Sequence, residues 1–131
     1  MATTLTFEQE RGYGTGEGVI RVPVRVLSGV VPFTVQAVLD TGAYISVFDS
    51  AYAPSFGIPD YTAGEPMPLT PANGQTVVGY KFRILVEVWG RELIIPAVFY
   101  QGFPNLLGMQ GFFDQIRIAF DHGRQRYYVS P

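Results

Sequence analysis

Apolar and polar residues alternate with a period of two through much of the chain. Ile20, Val22, Val24 and Val26 are separated by Arg21, Pro23 and Arg25, the pattern of a half-buried strand, and Pro23 places that strand at a sheet edge. Leu27-Ser28-Gly29 then turns the chain into a β-branched, mostly apolar stretch at 30–39, a second predicted strand that runs into Asp40-Thr41-Gly42-Ala43. That tetrapeptide is therefore a loop at a strand's end. A hairpin is predicted from Met67, turning at Asn73-Gly74, the pair best able to take the positive φ angles of a tight turn. Its return arm alternates Tyr80, Phe82, Ile84, Val86 and Val88 with Lys81, Arg83, Leu85 and Glu87. Gly90 permits a turn, and 93–100 reads as a more fully buried strand. A last turn at Asp121-His122-Gly123-Arg124 joins Ile118-Ala119-Phe120 to Tyr127-Tyr128-Val129, and 3–7 is strand-like as well.

Fifteen glycines and ten prolines break most windows long enough for a helix, leaving two short helices, near 50–56 and 111–116. The expected fold class is all-β, a closed barrel or sandwich of short strands. One domain spans 1–131, with an N-terminal strand and a flexible glycine-rich surface loop at 11–18. A length of 131 residues with 47% hydrophobic content suits one core of ordinary size. The halves echo each other faintly: one strand leads to Val38-Leu39-Asp40-Thr41-Gly42 and another to Asn105-Leu106-Leu107-Gly108, the trace an ancient duplication would leave.

Charge narrows the partners. Nine Lys+Arg against eleven Asp+Glu give a net charge of −2 without any basic block, so neither nucleic acid nor an anionic membrane is expected. The longest apolar stretches are about half of a membrane span. The first ten residues carry Glu8 and Glu10 and no basic residue ahead of an apolar run, unlike a secretory signal, so a cytoplasmic protein is expected. With no cysteine and His122 as the sole histidine, disulfides, thiolate nucleophiles and His- or Cys-rich zinc sites are excluded. No metal or cofactor is expected, and the available chemistry is carboxylate, hydroxyl and backbone.

Most candidate sites have a plainer reading. Gly12, Gly14, Gly16 and Gly18 do not have phosphate-loop spacing, and no lysine-threonine pair follows them. His122 has no serine elbow to serve and reads as an exposed turn residue. Asp49, Asp60, Asp114 and Asp121 sit where carboxylates cap backbone N–H groups, and the Phe and Tyr residues fall on strand faces as core. Asp40 is different. Ala37-Val38-Leu39 deliver it to an apolar spot, Thr41 brings a hydroxyl that can tie the loop down, Gly42 lets another backbone approach, and Ala43 leaves room for a neighbour. An Asp-Thr-Gly turn after a strand is also common as mere structure, and the tripeptide alone favours that reading.

The wider pattern, Asp40-Thr41-Gly42-Ala43, then a glycine-bearing hairpin, then Asn105-Leu106-Leu107-Gly108 before a short helix, resembles the retropepsin-like aspartic proteases. The likeness runs from about Val19 to Val129 and is most specific at the Asp-Thr-Gly-Ala loop. It implies the closed, barrel-like acid protease fold and, because the chain has one such loop, a homodimer giving one Asp40 per subunit. It further implies peptide-bond hydrolysis by a water held between two Asp40 carboxylates, without metal. Thr41 would link the two loops across the dimer axis, and Gly42 would offer its carbonyl to the substrate. Ala43, Tyr44 and Leu107 would line the peptide site beneath flaps tipped by Asn73, Gly74 and Gln75.

Two positions depart from the retroviral pattern, which has Asp after the Asp-Thr-Gly-Ala loop and Arg after the apolar-apolar-Gly motif. Here Tyr44 and Met109 stand there, which suggests an apolar contact in place of a charged pair. A non-catalytic peptide-binding or dimerisation module of the same fold, and a small structural barrel with an incidental turn, are the competing readings.

Overall fold

The computed structural model describes residues 1–14 and 18–131. Its ten strands are β1 (Gln9–Gly12), β2 (Arg21–Val26), β3 (Phe33–Leu39), β4 (Ser46–Asp49), β5 (Glu65–Leu69), β6 (Val77–Val88), β7 (Arg91–Tyr100), β8 (Leu106–Leu107), β9 (Arg117–Asp121) and β10 (Arg126–Ser130). Seven of them form one sheet in the order β2-β3-β8-β4-β7-β6-β5, and a further pairing of Arg25 and Val26 with Glu87 and Val86 joins β2 to β6. That pairing closes a ring, with β5 appended to the first half of β6. The chain is all-β and barrel-like, and a second sheet, β1-β10-β9, lies beside the ring.

Alternation explains the inner surface. Val22, Val24 and Val26 of β2 are buried while Arg21, Pro23 and Arg25 are exposed. Pro23 stands opposite Gln36 of β3, on the stretch of β2 that β6 does not reach, so its missing N–H costs no ladder bond. Inside the ring, Phe56 packs against Phe48 and Phe99 with centroids 5.1 and 5.0 Å away. Phe56 arrives on a 3-10 turn, Ser50–Phe56, which Asp49 caps by accepting the Ala51 N–H and Gly57 ends at φ 82°. Both predicted short helices occur as 3-10 turns, the second as Phe113–Gln115, and two more lie at Tyr61–Ala63 and His122–Arg124. No helix among the described residues is long and apolar enough to cross a membrane.

Several expectations need correction. The second strand starts at Phe33, not Val30: Gly29 lies so close to the Ser55 carbonyl that any Cβ would be 2.1 Å from it, which docks the loop and leaves Val30 and Val31 exposed with no facing strand. Residues 3–7 form no strand; the N-terminal strand is β1, and it pairs with β10 of its own chain. β10 is in turn paired with β9 on its other side, so Tyr127-Tyr128-Val129 is no open edge. The glycine-rich loop expected at 11–18 begins later, because Arg11 and Gly12 belong to β1, and its middle, 15–17, lies outside the described residues. At the Asn73-Gly74 tip only Gly74 has a positive φ, 82°, in a wide loop at 70–76 where its N–H donates to the Pro71 carbonyl. The tight turn with two positive φ angles is Trp89-Gly90, at 53° and 82°, because β6 and β7 stay paired up to Val88 and Arg91.

Candidate functional site

Asp40 comes directly after β3, and its loop is clamped by the second motif. β8 runs parallel to β3, with Val38 opposite Leu106 and Leu39 opposite Leu107. The Val38 N–H donates to the Asn105 carbonyl at 2.9 Å, and the Asp40 N–H to the Leu107 carbonyl at 3.0 Å. Beyond the loop the same two segments meet again. The Met109 N–H donates to Ala43 at 2.9 Å, the Gln110 N–H to Tyr44 at 2.8 Å, and Ile45 bridges Gln110. Gly108 is required between them, since a Cβ there would be 2.5 Å from the Ile45 carbonyl.

Within the loop the Gly42 N–H donates to Asp40 Oδ1 at 2.9 Å, and the Ala43 N–H to the Asp40 carbonyl at 3.1 Å. One carboxylate oxygen is thus fixed by the loop's own backbone, while Oδ2 has no hydrogen-bond partner among the described residues. Asp40 is half-buried, not enclosed as expected, and no cation pairs with it among the described residues. Strand periodicity is the reason: Ala37 and Leu39 face the main core, so Val38 and Asp40 fall on the more open side. Thr41 is exposed, and its hydroxyl ties down nothing among the described residues. The carboxylate is held through Oδ1 and remains reachable at Oδ2.

Leu107 needs correction. Its side chain is fully buried with Leu39 in the main core, so it contributes its carbonyl to the Asp40 loop and no surface to a ligand. Its neighbour Leu106 is half-exposed on the opposite face, opposite Val47 of β4. On that face Ile45, Val47 and Val98 form a second, small apolar cluster, covered in part by Met67, Leu69 and Phe103. The base of the β5–β6 hairpin therefore rests on the residues that follow the Asp40 loop. Its tip is exposed from Ala72 to Thr76, including Asn73, Gly74 and Gln75, and no hydrogen bond joins it to the loop among the described residues. Tyr44 and Met109 precede the Ile45–Gln110 bridge on adjacent segments, both largely exposed, at 68% and 47%.

Two polar residues brace this region: Ser46, missed in the sequence, and Asn105, read there as part of the second motif without a bracing role. Ser46, fully buried, accepts the Gly108 N–H at 3.1 Å. Asn105 accepts the Asp49 N–H at 3.1 Å and donates to the Gln36 carbonyl at 3.2 Å, so its amide spans β4 and β3. The signal for Ser46 was there, a lone hydroxyl inside the apolar run Ile45-Ser46-Val47-Phe48. The other four aspartates do cap backbone N–H groups, Asp49 to Ala51, Asp60 to Thr62, Asp114 to Gly111 and Asp121 to Arg124. His122 is exposed, its Nδ1 2.6 Å from the Tyr13 hydroxyl. Among the described residues no three His, Cys, Asp or Glu side chains converge in a way that could hold a metal ion. No protein-family model matches the chain, and a search of curated proteins finds no match either.

Proposed function

We propose that this chain is an aspartic endopeptidase of retropepsin-like fold, acting as a homodimer with one Asp40 from each subunit. The observation that carries the reading is the clamp: Asp40-Thr41-Gly42-Ala43 and Leu106-Leu107-Gly108, remote in sequence, form one parallel-paired unit that fixes a reachable carboxylate. Two carboxylates about 3 Å apart cannot both ionise and so share one proton. The ionised Asp40 takes a proton from the water between them, and the protonated one polarises the scissile carbonyl. The exposed Thr41 hydroxyl, Tyr44 and Met109 supply contacts for the second subunit. An extended peptide would lie against Ala43, Leu106 and the β5–β6 hairpin, with Asn73, Gly74 and Gln75 closing over it.

Peptidase assays at mildly acidic pH, run beside sedimentation analysis on dilution, test the reading. Activity should fall with the dimer and vanish in Asp40→Asn while the fold persists. An Asp40→Asn protein as active as wild type, or full activity in a monomer, refutes it. The exposed Tyr44 and Met109 also favour a second reading, a dimerisation module without turnover. A stable dimer inactive on every peptide tried would support that one.

A further inference from the structure

Beside the ring lies a cleft of about 290 Å³, far from the Asp40 loop. Its wall includes Thr34 at the start of β3, while Asp40 follows the end of that strand, about 20 Å away at strand rise. Register assembles the lining. Arg25 of β2 stands opposite Thr34 on one side and Glu87 on the other, and Arg11 of β1 stands opposite Tyr127 of β10. Two guanidiniums and one carboxylate thus line the cleft, and neither guanidinium makes a close ion pair among the described residues. Arg25 Nη1 is 3.9 Å from Glu87 Oε1, and Arg11 donates to the neutral Gln9 Oε1 at 2.8 and 3.2 Å.

The remaining wall is Trp89, Tyr127, Pro23 and Gly90. The Trp89 indole N–H donates to the Tyr127 hydroxyl at 2.8 Å, which leaves that hydroxyl's own proton to give. Burial pushes the Tyr127 hydroxyl above the ordinary tyrosine value, against smaller opposing effects from the Trp89 hydrogen bond and the Arg11 charge, so it keeps its proton. The Trp89-Gly90 turn fixes the indole at a backbone φ of 53°, uncommon for so large a residue, and Gln9 Nε2 donates to the Trp89 carbonyl at 3.2 Å.

Planar guanidinium forks match carboxylates two bonds at a time, and the Trp89 ring with Pro23 gives the same cleft apolar surface for a compact hydrocarbon group. We propose that the cleft is a second binding site for a carboxylate carried on an apolar body about one residue in size, either a peptide C-terminus or a free small organic acid. Arg11 and Arg25 hold the carboxylate, Tyr127 and Thr34 add hydroxyl donors, and Trp89 covers the apolar part.

Trp89 is the only tryptophan, so its fluorescence reports occupancy directly. N-acetyl-leucine should give a saturable change, and its neutral amide should bind at least tenfold more weakly. Arg11→Gln and Arg25→Gln should each weaken the acid at least tenfold with the circular dichroism unchanged; should a variant fail to fold, the acid-against-amide comparison on wild type still decides. Binding should be equal in Asp40→Asn, which separates this site from the proposed catalytic one. A preference for N-acetyl-leucine over 4-methylpentanoate identifies peptide ends as the source, and parity identifies free acids; the carboxylate site stands in both cases. Equal response to acid and amide, a response that survives in the double Arg variant, or none up to millimolar concentration overturns the proposal.

Discussion

β6 is shared by two hairpins of opposite character. With the ten-residue β7 it is paired from Tyr80 to Val88, closes in a tight turn, and places Ile84, Val86, Leu93, Ile95 and Phe99 in the main core. With the five-residue β5 it meets only the first part of its length, through a wide exposed loop, over the small cluster of Ile45, Val47 and Val98. One strand thus belongs to a scaffold at one end and to a lightly anchored cover at the other. The difference arises from what each partner buries, since local stability follows buried apolar contact and not hydrogen bonding alone. The lightly held hairpin is the one that packs on Ile45 and Val47, just after the Asp40 loop in the chain.

Truncating each hairpin's anchor should give the largest contrast. Phe99 is fully buried and touches Phe48, Phe56 and Phe82, so Phe99→Ala should cost about 3–5 kcal/mol in urea unfolding. Leu69 is half-buried on the small cluster, and Leu69→Ala should cost roughly 1 kcal/mol by the area it covers. Similar losses in the two variants would break the comparison.

A subtler contrast uses two glycines with the same backbone angle. Gly74 and Gly90 both have φ 82° and open space where a side chain would go, so a valine meets only the backbone penalty. In the tight turn the flanking ladder holds that angle, and Gly90→Val should cost about 1–2 kcal/mol. The loop at 70–76 can relax, so Gly74→Val should change stability by at most about 0.5 kcal/mol. If the tip closes over substrate as proposed, the same variant should still lose most of its turnover. A peptide-like inhibitor should also slow amide exchange from Ala72 to Thr76 in wild type. Slow exchange there with and without inhibitor would show a rigid hairpin that is no gate.

The strands that bury one face were legible in the sequence, and those without an apolar alternation were not, for one physical reason. β2 and the second half of β6 bury one face each, so alternation writes them into the chain, as at Val22, Val24 and Val26. β1 is Gln-Glu-Arg-Gly, with nothing apolar to betray it, and exists because β10 offers it a ladder. β4 is buried on both faces, so its run carries no period. The turn types followed strand register, not turn composition: Asn73-Gly74 has the residues for a tight turn, while Trp89-Gly90 has the paired strands that impose one. At the site, both motifs could be read as strings. Which leucine faces the core could not, because a two-residue strand such as β8 takes its phase from β3 and not from itself.

A contrast in pH dependence separates the hairpins through Tyr127. This side chain, only 4% exposed, packs against Trp89 at the tight turn and accepts its indole hydrogen bond, whereas the loop at 70–76 contains no titratable side chain. Burial raises the folded-state Tyr127 above the model-peptide value of 10.0. The unfolded chain therefore loses this proton first as pH rises, so the folded state binds more protons and stability declines with pH. The contribution is fully present below about pH 10 and disappears as pH climbs through the folded value. At pH 8, Tyr127→Phe should be less stable than wild type by about 1 kcal/mol, the worth of the lost hydrogen bond. Above pH 10 that gap should narrow, because only wild type pays to keep the hydroxyl protonated. Urea unfolding of both proteins from pH 8 to 11 measures it, and a gap that stays constant across that range would show that Tyr127 is not held protonated by the fold.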